Sequence, residues 1–304
     1  MARHEFIPSQ YHSVLATLPP ALHVESGDIV VTRTLDANGA DQDGIVRAHG
    51  GNPMNGPILV RGAEPGDALA VDIIGMTPIR AHGWTRAALA GNVVDPERVR
   101  ELPPRDKADW IIDGDAGNVR LATPVAGLER MILPLSPMIG CFGVAPADGE
   151  AISTATSGPN GGNMDYRGCR PGARITFPVG VPGALFFLGD CHAIQGDGEI
   201  AGTGVETAME VEFRLSILKQ RRQAWPRGED ETFIFTLGNA RPLDQALQHA
   251  TTEMFDWLMG EYGLSSVAAS HLMGQVVRYE VGNVFDPAYT MVCKIEKKWL
   301  PHES

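Results

Sequence analysis

The sequence predicts a mainly β protein of sandwich or barrel-like form, with a smaller α+β portion at its C-terminal end. Three observations predict it. Thirty-five glycines and 22 prolines are spread along the 304 residues instead of gathering in one linker, so they mark many turns. Four segments share one grammar, a Pro-Gly or Ser-Gly turn that feeds an apolar run. Helical spacing emerges clearly only after Pro242.

The four segments are ESGDIVV (25–31), EPGDALAV (64–71), RPGARITF (170–177) and VPGALFFL (181–188). In each, glycine suits the turn position that needs a positive φ, and the residues after it suit a strand. Their occurrence in both halves of the chain allows a duplicated β arrangement, although Pro-Gly turns are common in any β protein. Further strands are expected at 43–48, 58–61, 119–122, 131–134, 205–218, 231–237 and 289–294. The segment 205–218 alternates most clearly, with Met209, Val211, Phe213, Leu215 and Ile217 on one face and Glu210, Glu212, Arg214 and Ser216 on the other. Residues 79–117 are polar and interrupted by proline, and read as a long excursion between strands.

From Pro242, the residues Leu243, Ala246, Leu247, Ala250, Met254, Trp257 and Leu258 recur at helical spacing, which predicts a helix ending near 260–263. LSSVAASHLMG predicts a second, shorter helix stopped by Gly274. His249 and His271 fall on these helices and read as surface or core histidines. The expected division is a mainly β unit over 1–220, carrying the site, and an α+β portion over 221–304 packed on it.

Composition excludes several classes. The formal net charge is −12, without a Lys/Arg stripe, so nucleic acid is not an expected partner. There is no stretch of about 20 apolar residues for a membrane span. The N-terminus lacks the apolar run of a secretory signal. Cys141, Cys169, Cys191 and Cys293 form no C-x-x-C pair and read as free, mostly buried thiols of a cytoplasmic protein.

The chemistry concentrates in GDCHAIQGDGE (189–199), directly after eight residues without a charge. In extended backbone, Asp190 and His192 project from one face and could grip one ion; Asp197 and Glu199 repeat the spacing. Upstream, GPNGGNMD supplies Asn163 and Asp165 after another glycine-rich turn. Such a mixed oxygen and nitrogen set suits zinc or another divalent metal with a position open to water or substrate. The alternative is a solvated acidic turn. Cys191, facing the other way in an acidic neighbourhood, reads as a core residue rather than a nucleophile. His49, before the turn cluster GNPMNGP, is a candidate substrate contact or proton donor.

The motifs NGPILVRGAEPGDALAVDI, GVAPADGE, GPNGGNMD, PVGVPGALFFLGDCHAIQGDGEIAGTGVE and QVVRYEVGNVFDPAYT, in this order, resemble the acetamidase/formamidase family over most of the chain. The resemblance implies a divalent metal, homo-oligomers (a dimer or higher), and hydrolysis of short linear amides to a carboxylic acid and ammonia. By position it carries Asp165, Asp190, His192, Asp197 and Glu199 over as site residues; the expected roles are metal ligands for Asp165, Asp190 and His192, and catalytic acids for Glu199 and Asp197. Asn163 and Gln195 could orient the amide. Zinc is the expected metal, with calcium as the alternative. Two departures bear on the pocket: Gln195, at a variable position, and VGNVFDP in place of a segment running straight into Asn-Pro. A metal-dependent lyase or isomerase acting on a small oxo-acid, and a structural-calcium protein, are the competing readings.

Overall fold

Period-two alternation sets the architecture. In the computed structural model, which describes residues 1–301, the strand Met209–Leu218 buries Met209, Val211, Phe213 and Leu215 and leaves the residues between them half-exposed. It pairs antiparallel with Ile29–Arg33 on one side and Ala68–Pro78 on the other. Around it a nine-stranded sheet runs in the spatial order Arg3–Phe6, Ile29–Arg33, Met209–Leu218, Ala68–Pro78, Arg174–Pro178, Arg227–Glu229, Phe233–Ala240, Tyr289–Glu296 and Arg278–Val281. The strands after residue 220 therefore extend the sheet built by those before it.

A six-stranded sheet faces it, in the order Ser157–Gly158, Gly161–Asn163, Met138–Val144, Phe186–His192, Asn55–Val60 and Leu22–Val24. The inner faces of the two sheets meet through aromatic pairs. Phe142 packs edge-on against Phe177 with centroids 5.1 Å apart, and Phe186 meets Phe213 at 5.5 Å. The main core lies between these layers, as alternating inward residues require of a sandwich. Three of the four turn-then-strand segments feed the nine-stranded sheet, and the fourth feeds the six-stranded one.

Helix α1, Leu243–Gly260, buries Ala246, Ala250, Met254, Trp257 and Leu258, all on the expected face. It also buries Glu253, which the pattern did not single out; Arg227 Nε donates to it at 2.6 Å and the Ala224 and Trp225 amides at 3.0 and 3.1 Å. Helix α2, Ser266–Val276, is capped by Ser265 and runs two residues beyond Gly274, whose missing side chain faces open space. His249 stacks on Trp225 and His271 is exposed. No helix among the described residues is long and apolar enough to cross a membrane.

Two expectations are corrected. Residues 43–48 form no strand, because the Asp41 carboxylate accepts the amides of Asp43 and Ile45 and turns the chain back on itself. The excursion 79–117 carries the strands His82–Arg86 and Lys107–Asp113, half of a four-stranded sheet. Most of its charged residues are exposed, Arg80 and Arg105 being half-buried, while Trp84, Trp110 and Ile112 are buried.

Candidate active site

The strand Phe186–His192 carries Asp190 and His192 into the interior, where both are buried. Its partner Met138–Val144 pairs Ile139 with Cys191 and Cys141 with Gly189, so Gly140 lies opposite Asp190. A Cβ on Gly140 would stand 2.6 Å from Asp165 Oδ1, 2.7 Å from the Asp190 carbonyl oxygen and 3.1 Å from His192 Cε1. Glycine is thus what lets the three ligand candidates converge. Gly204 does the same from another side, since its Cβ would lie 2.5 Å from the imidazole Nδ1.

Asp165, Asp190 and Glu199 all hold left-handed backbone, with φ of 45°, 53° and 45°. Such conformations are costly outside glycine and gather at functional sites. They also revise the argument from alternation. Asp190 and His192 are neighbours, Oδ1 to Nε2 at 3.5 Å, although Asp190 departs from extended backbone.

Gln195 fixes the imidazole. Its Nε2 donates to the Asp165 carbonyl oxygen at 2.6 Å, which turns its Oε1 towards His192 Nδ1 at 2.8 Å. Nδ1 therefore carries a proton, which leaves Nε2 as the ring nitrogen that a cation would take. Glu206 Oε1 lies 3.1 Å from Nε2, and His192 falls in two groups whose donor atoms lie close enough to share an ion: Asp190, His192 and Glu206, and Asp165, His192 and Glu199. His192 Nε2, Asp165 Oδ1, Asp190 Oδ1 and Glu206 Oε2 are all buried without a hydrogen-bond partner. Buried polar atoms are normally satisfied, and buried carboxylates are expensive unless paired. One ring nitrogen and three carboxylate oxygens, all orphaned, fit a divalent cation.

The electrostatics agree. Burial first, then Glu199, Asp286 and Asp190, push the Asp165 carboxyl well above its ordinary value. Burial also raises Glu199 well above its ordinary value, against the pull of His192. Glu206 is pushed up to about 8 and Asp286 to about 7, in both cases mainly by burial. Burial works against the His192 imidazolium, but Glu206 and Asp190 outweigh it and raise that group. A cation would relieve this crowding of negative charge. Above the cluster opens a cavity of about 280 Å³ lined by Asn163, Asp190, Glu199, Glu206 and Asp286, with Trp84 on its wall.

An acetamidase from Yersinia enterocolitica superposes with a TM-score of 0.86 at 31% identity, over 99% of this chain and 93% of that one. The chain belongs to the acetamidase/formamidase family. A sequence model of that family matches residues 144–247, which hold every cluster residue except Asp286. An acetamidase structure from Bacillus halodurans has a TM-score of 0.84 at 28% identity, over 97% and 98% of the two chains. The acetamidase of Mycolicibacterium smegmatis is 28% identical over 241 residues, 62% of this chain and 59% of that protein. The chain thus covers little more than half the length of such curated relatives; for the formamidase of Methylophilus methylotrophus the share is 51%.

Within this family fold, Asp165, Asp190, His192 and Glu199 come together as the motifs suggest, and Asn163 lines the cavity. Asn163 has both ends of its amide engaged: it donates to Asp286 Oδ2 at 2.6 Å and accepts from Asn52 at 3.1 Å. Three residues fall elsewhere. Asp197 is exposed and paired with Arg167 at 2.6 Å, because the turn at Gly196 and Gly198 directs it outward. Gln195 is buried with its polar atoms spent on Asp165 and His192, and does not line the cavity. His49 sits in an exposed turn outside the cavity lining.

Sequence reasoning missed Glu206 and Asp286. Glu206 closes GTGVE and Asp286 is the one acid of VGNVFDP, and these acids within motifs already singled out were the available signal. Cys191 is buried in the core with its thiol pushed up to about 12, chiefly by burial, in keeping with a packing role.

Proposed function

We propose that the protein is a metal-dependent amidase that cleaves a short linear amide to a carboxylate and ammonia. One observation carries the reading: an imidazole Nε2 and three carboxylate oxygens, all buried and without hydrogen bonds, at the floor of a cavity in a chain of the acetamidase/formamidase family. Asp190, His192 and Glu206 would hold the metal, with Asp165 Oδ1 as a further orphaned donor. Nitrogen beside carboxylates in a small set favours zinc over calcium, which prefers oxygen alone. When bound, the metal would polarise the amide carbonyl and ease ionisation of a water.

The remaining work falls to this chain's residues. Glu199 lines the cavity and forms a group with Asp165 and His192, so it is placed to take the proton of the attacking water. Its raised pKa lets it then return that proton to the departing nitrogen, so that water's oxygen joins the acyl carbon as the C–N bond breaks. Gln195 holds a proton on Nδ1, so that Nε2 is the nitrogen turned to the metal. Asn163 and Asn283 hold Asp286, at 2.6 and 3.3 Å, as the facing wall.

Metal analysis of the purified protein, followed by ammonia release across formamide, acetamide and longer amides, tests the reading. Glu199→Gln should retain metal and lose turnover by about 10²- to 10⁴-fold, the usual worth of a general base. His192→Ala should lose both metal and turnover. Full activity in protein stripped of metal, with the stripping verified by elemental analysis, would overturn it.

A further inference from the structure

The floor of the cavity is acidic, but its outer lining holds two cations. Arg86 and Arg105 line the same cavity as Glu199, Glu206 and Asp286, and neither guanidinium forms an ion pair among the described residues. Both are oriented by other means. Arg86 lies over the Trp84 ring at 5.7 Å from its centroid, and Arg105 over the Phe285 ring at 5.1 Å. Arg105 also donates from Nη1 to the Ala88 carbonyl at 3.1 Å and from Nη2 to the Ala201 carbonyl at 2.7 Å. Aromatic faces and neutral carbonyls aim a guanidinium without neutralising it, and its remaining N–H donors stay available.

Other arginines of the chain are held differently. Acids outnumber Lys and Arg by 37 to 25, and Arg80, Arg174 and Arg227 each meet a carboxylate. The cavity is also large for a simple amide: at ~30 Å³ per water-sized group, acetamide would fill about half of its 280 Å³. The spare volume and the spare positive charge lie in one place.

We propose that the substrate carries a carboxylate at the end of its acyl group, received by Arg86 and Arg105, so that the substrate class is the monoamide of a short dicarboxylic acid. The inference rests on the amidase reading and narrows it. Planar guanidinium forks match a carboxylate through paired hydrogen bonds. Exposure orders the charges suitably: Arg86 is exposed and Arg105 half-buried, while the acids of the floor are buried. The substrate's anionic end would therefore stay outward as its amide enters.

The test compares malonamate, succinamate and glutaramate with their uncharged isosteres, the corresponding diamides, by ammonia release. The expected result is a kcat/KM at least tenfold higher for the best monoamide than for its diamide. In Arg86→Gln that ratio should fall by tenfold or more. Arg105→Lys, which keeps a charge near the two carbonyls it tethers, should lower it as well. A wild-type ratio at or below one, or a ratio that neither variant moves, overturns the proposal. Calorimetric binding of succinate separates the two readings. Succinate bound by the wild type and lost in the double variant, with no amide turned over, overturns the amidase and keeps the carboxylate site. Turnover of acetamide and diamides with succinate unbound overturns the carboxylate site alone.

Discussion

Gln195 shows how much one uncharged side chain governs at this site. Its amide links the Asp165 backbone to the His192 ring and so decides which imidazole nitrogen is protonated. Outer partners of this kind are commonly worth 10- to 100-fold in metal affinity. Gln195→Leu keeps approximate volume and removes both hydrogen bonds, leaving Nδ1 without its acceptor. Metal affinity, measured by competition with a chelator of known strength, should fall about 10- to 100-fold while Glu199 and the cavity remain in place. An unchanged affinity would mean that packing by Gly204 alone holds the ring. Asp197 shows the converse: in sequence it looks equivalent to Glu199, yet it faces solvent and Arg167.

The elements that matter most here join through single residues. The strand Arg3–Phe6 lies parallel to Ile29–Arg33, a pairing that no tight turn can enforce. Asp28 pins it. Its carboxylate accepts the Ala2 amide at 2.6 Å, contacts His4 Nε2 at 3.0 Å and accepts the Glu25 amide at 3.1 Å. The Ala2 amide first and His4 next hold its carboxyl down to about 2, below the ordinary 3.8. A carboxyl depressed in the folded state contributes stability that is present above its unfolded pKa and disappears as pH falls through the folded one. Asp28→Asn should therefore be less stable than wild type by about 1–3 kcal/mol near pH 6, the usual worth of hydrogen bonds to a charged group. The gap should close between pH 4 and pH 2. Urea unfolding midpoints across that range would reveal it, and a gap that stays constant would contradict the assignment.

Across the whole molecule, the site is where separate sheets are stitched together. Glu206 bridges both Trp84, in the four-stranded sheet, and His192, in the six-stranded one. Asp286 arrives from the loop before the strand Tyr289–Glu296 of the nine-stranded sheet. A cation at this junction would couple all three layers, and its removal would leave buried carboxylates facing one another. Binding at 100 to 1,000 times Kd stabilises by about 3–4 kcal/mol. Chelation should therefore lower the calorimetric Tm by something on the order of 5 °C. His192→Ala should show no difference with and without chelator. Equal melting of loaded and stripped wild-type protein would argue against a metal at this junction.

Much of this was legible in the residues. Alternation identified Met209–Leu218, helical spacing identified α1, and the density of carboxylates around His192 singled out the segment that carries the candidate site. These are local properties, because side-chain direction along a strand or helix follows from backbone period alone. The excursion 79–117 was not legible as strands, since its outward charges hide a period that only Trp84, Trp110 and Ile112 carry inward. The membership of the cluster was decided by tertiary structure. Whether Glu206 and Asp286 join His192, and whether Asp197 leaves it, depends on the left-handed turns at Asp165, Asp190 and Glu199 and on the space left by Gly140 and Gly204. Those features bring together segments about 120 residues apart, from Asp165 to Asp286. Contacts at that separation are fixed by how the layers close on one another, which no local period encodes.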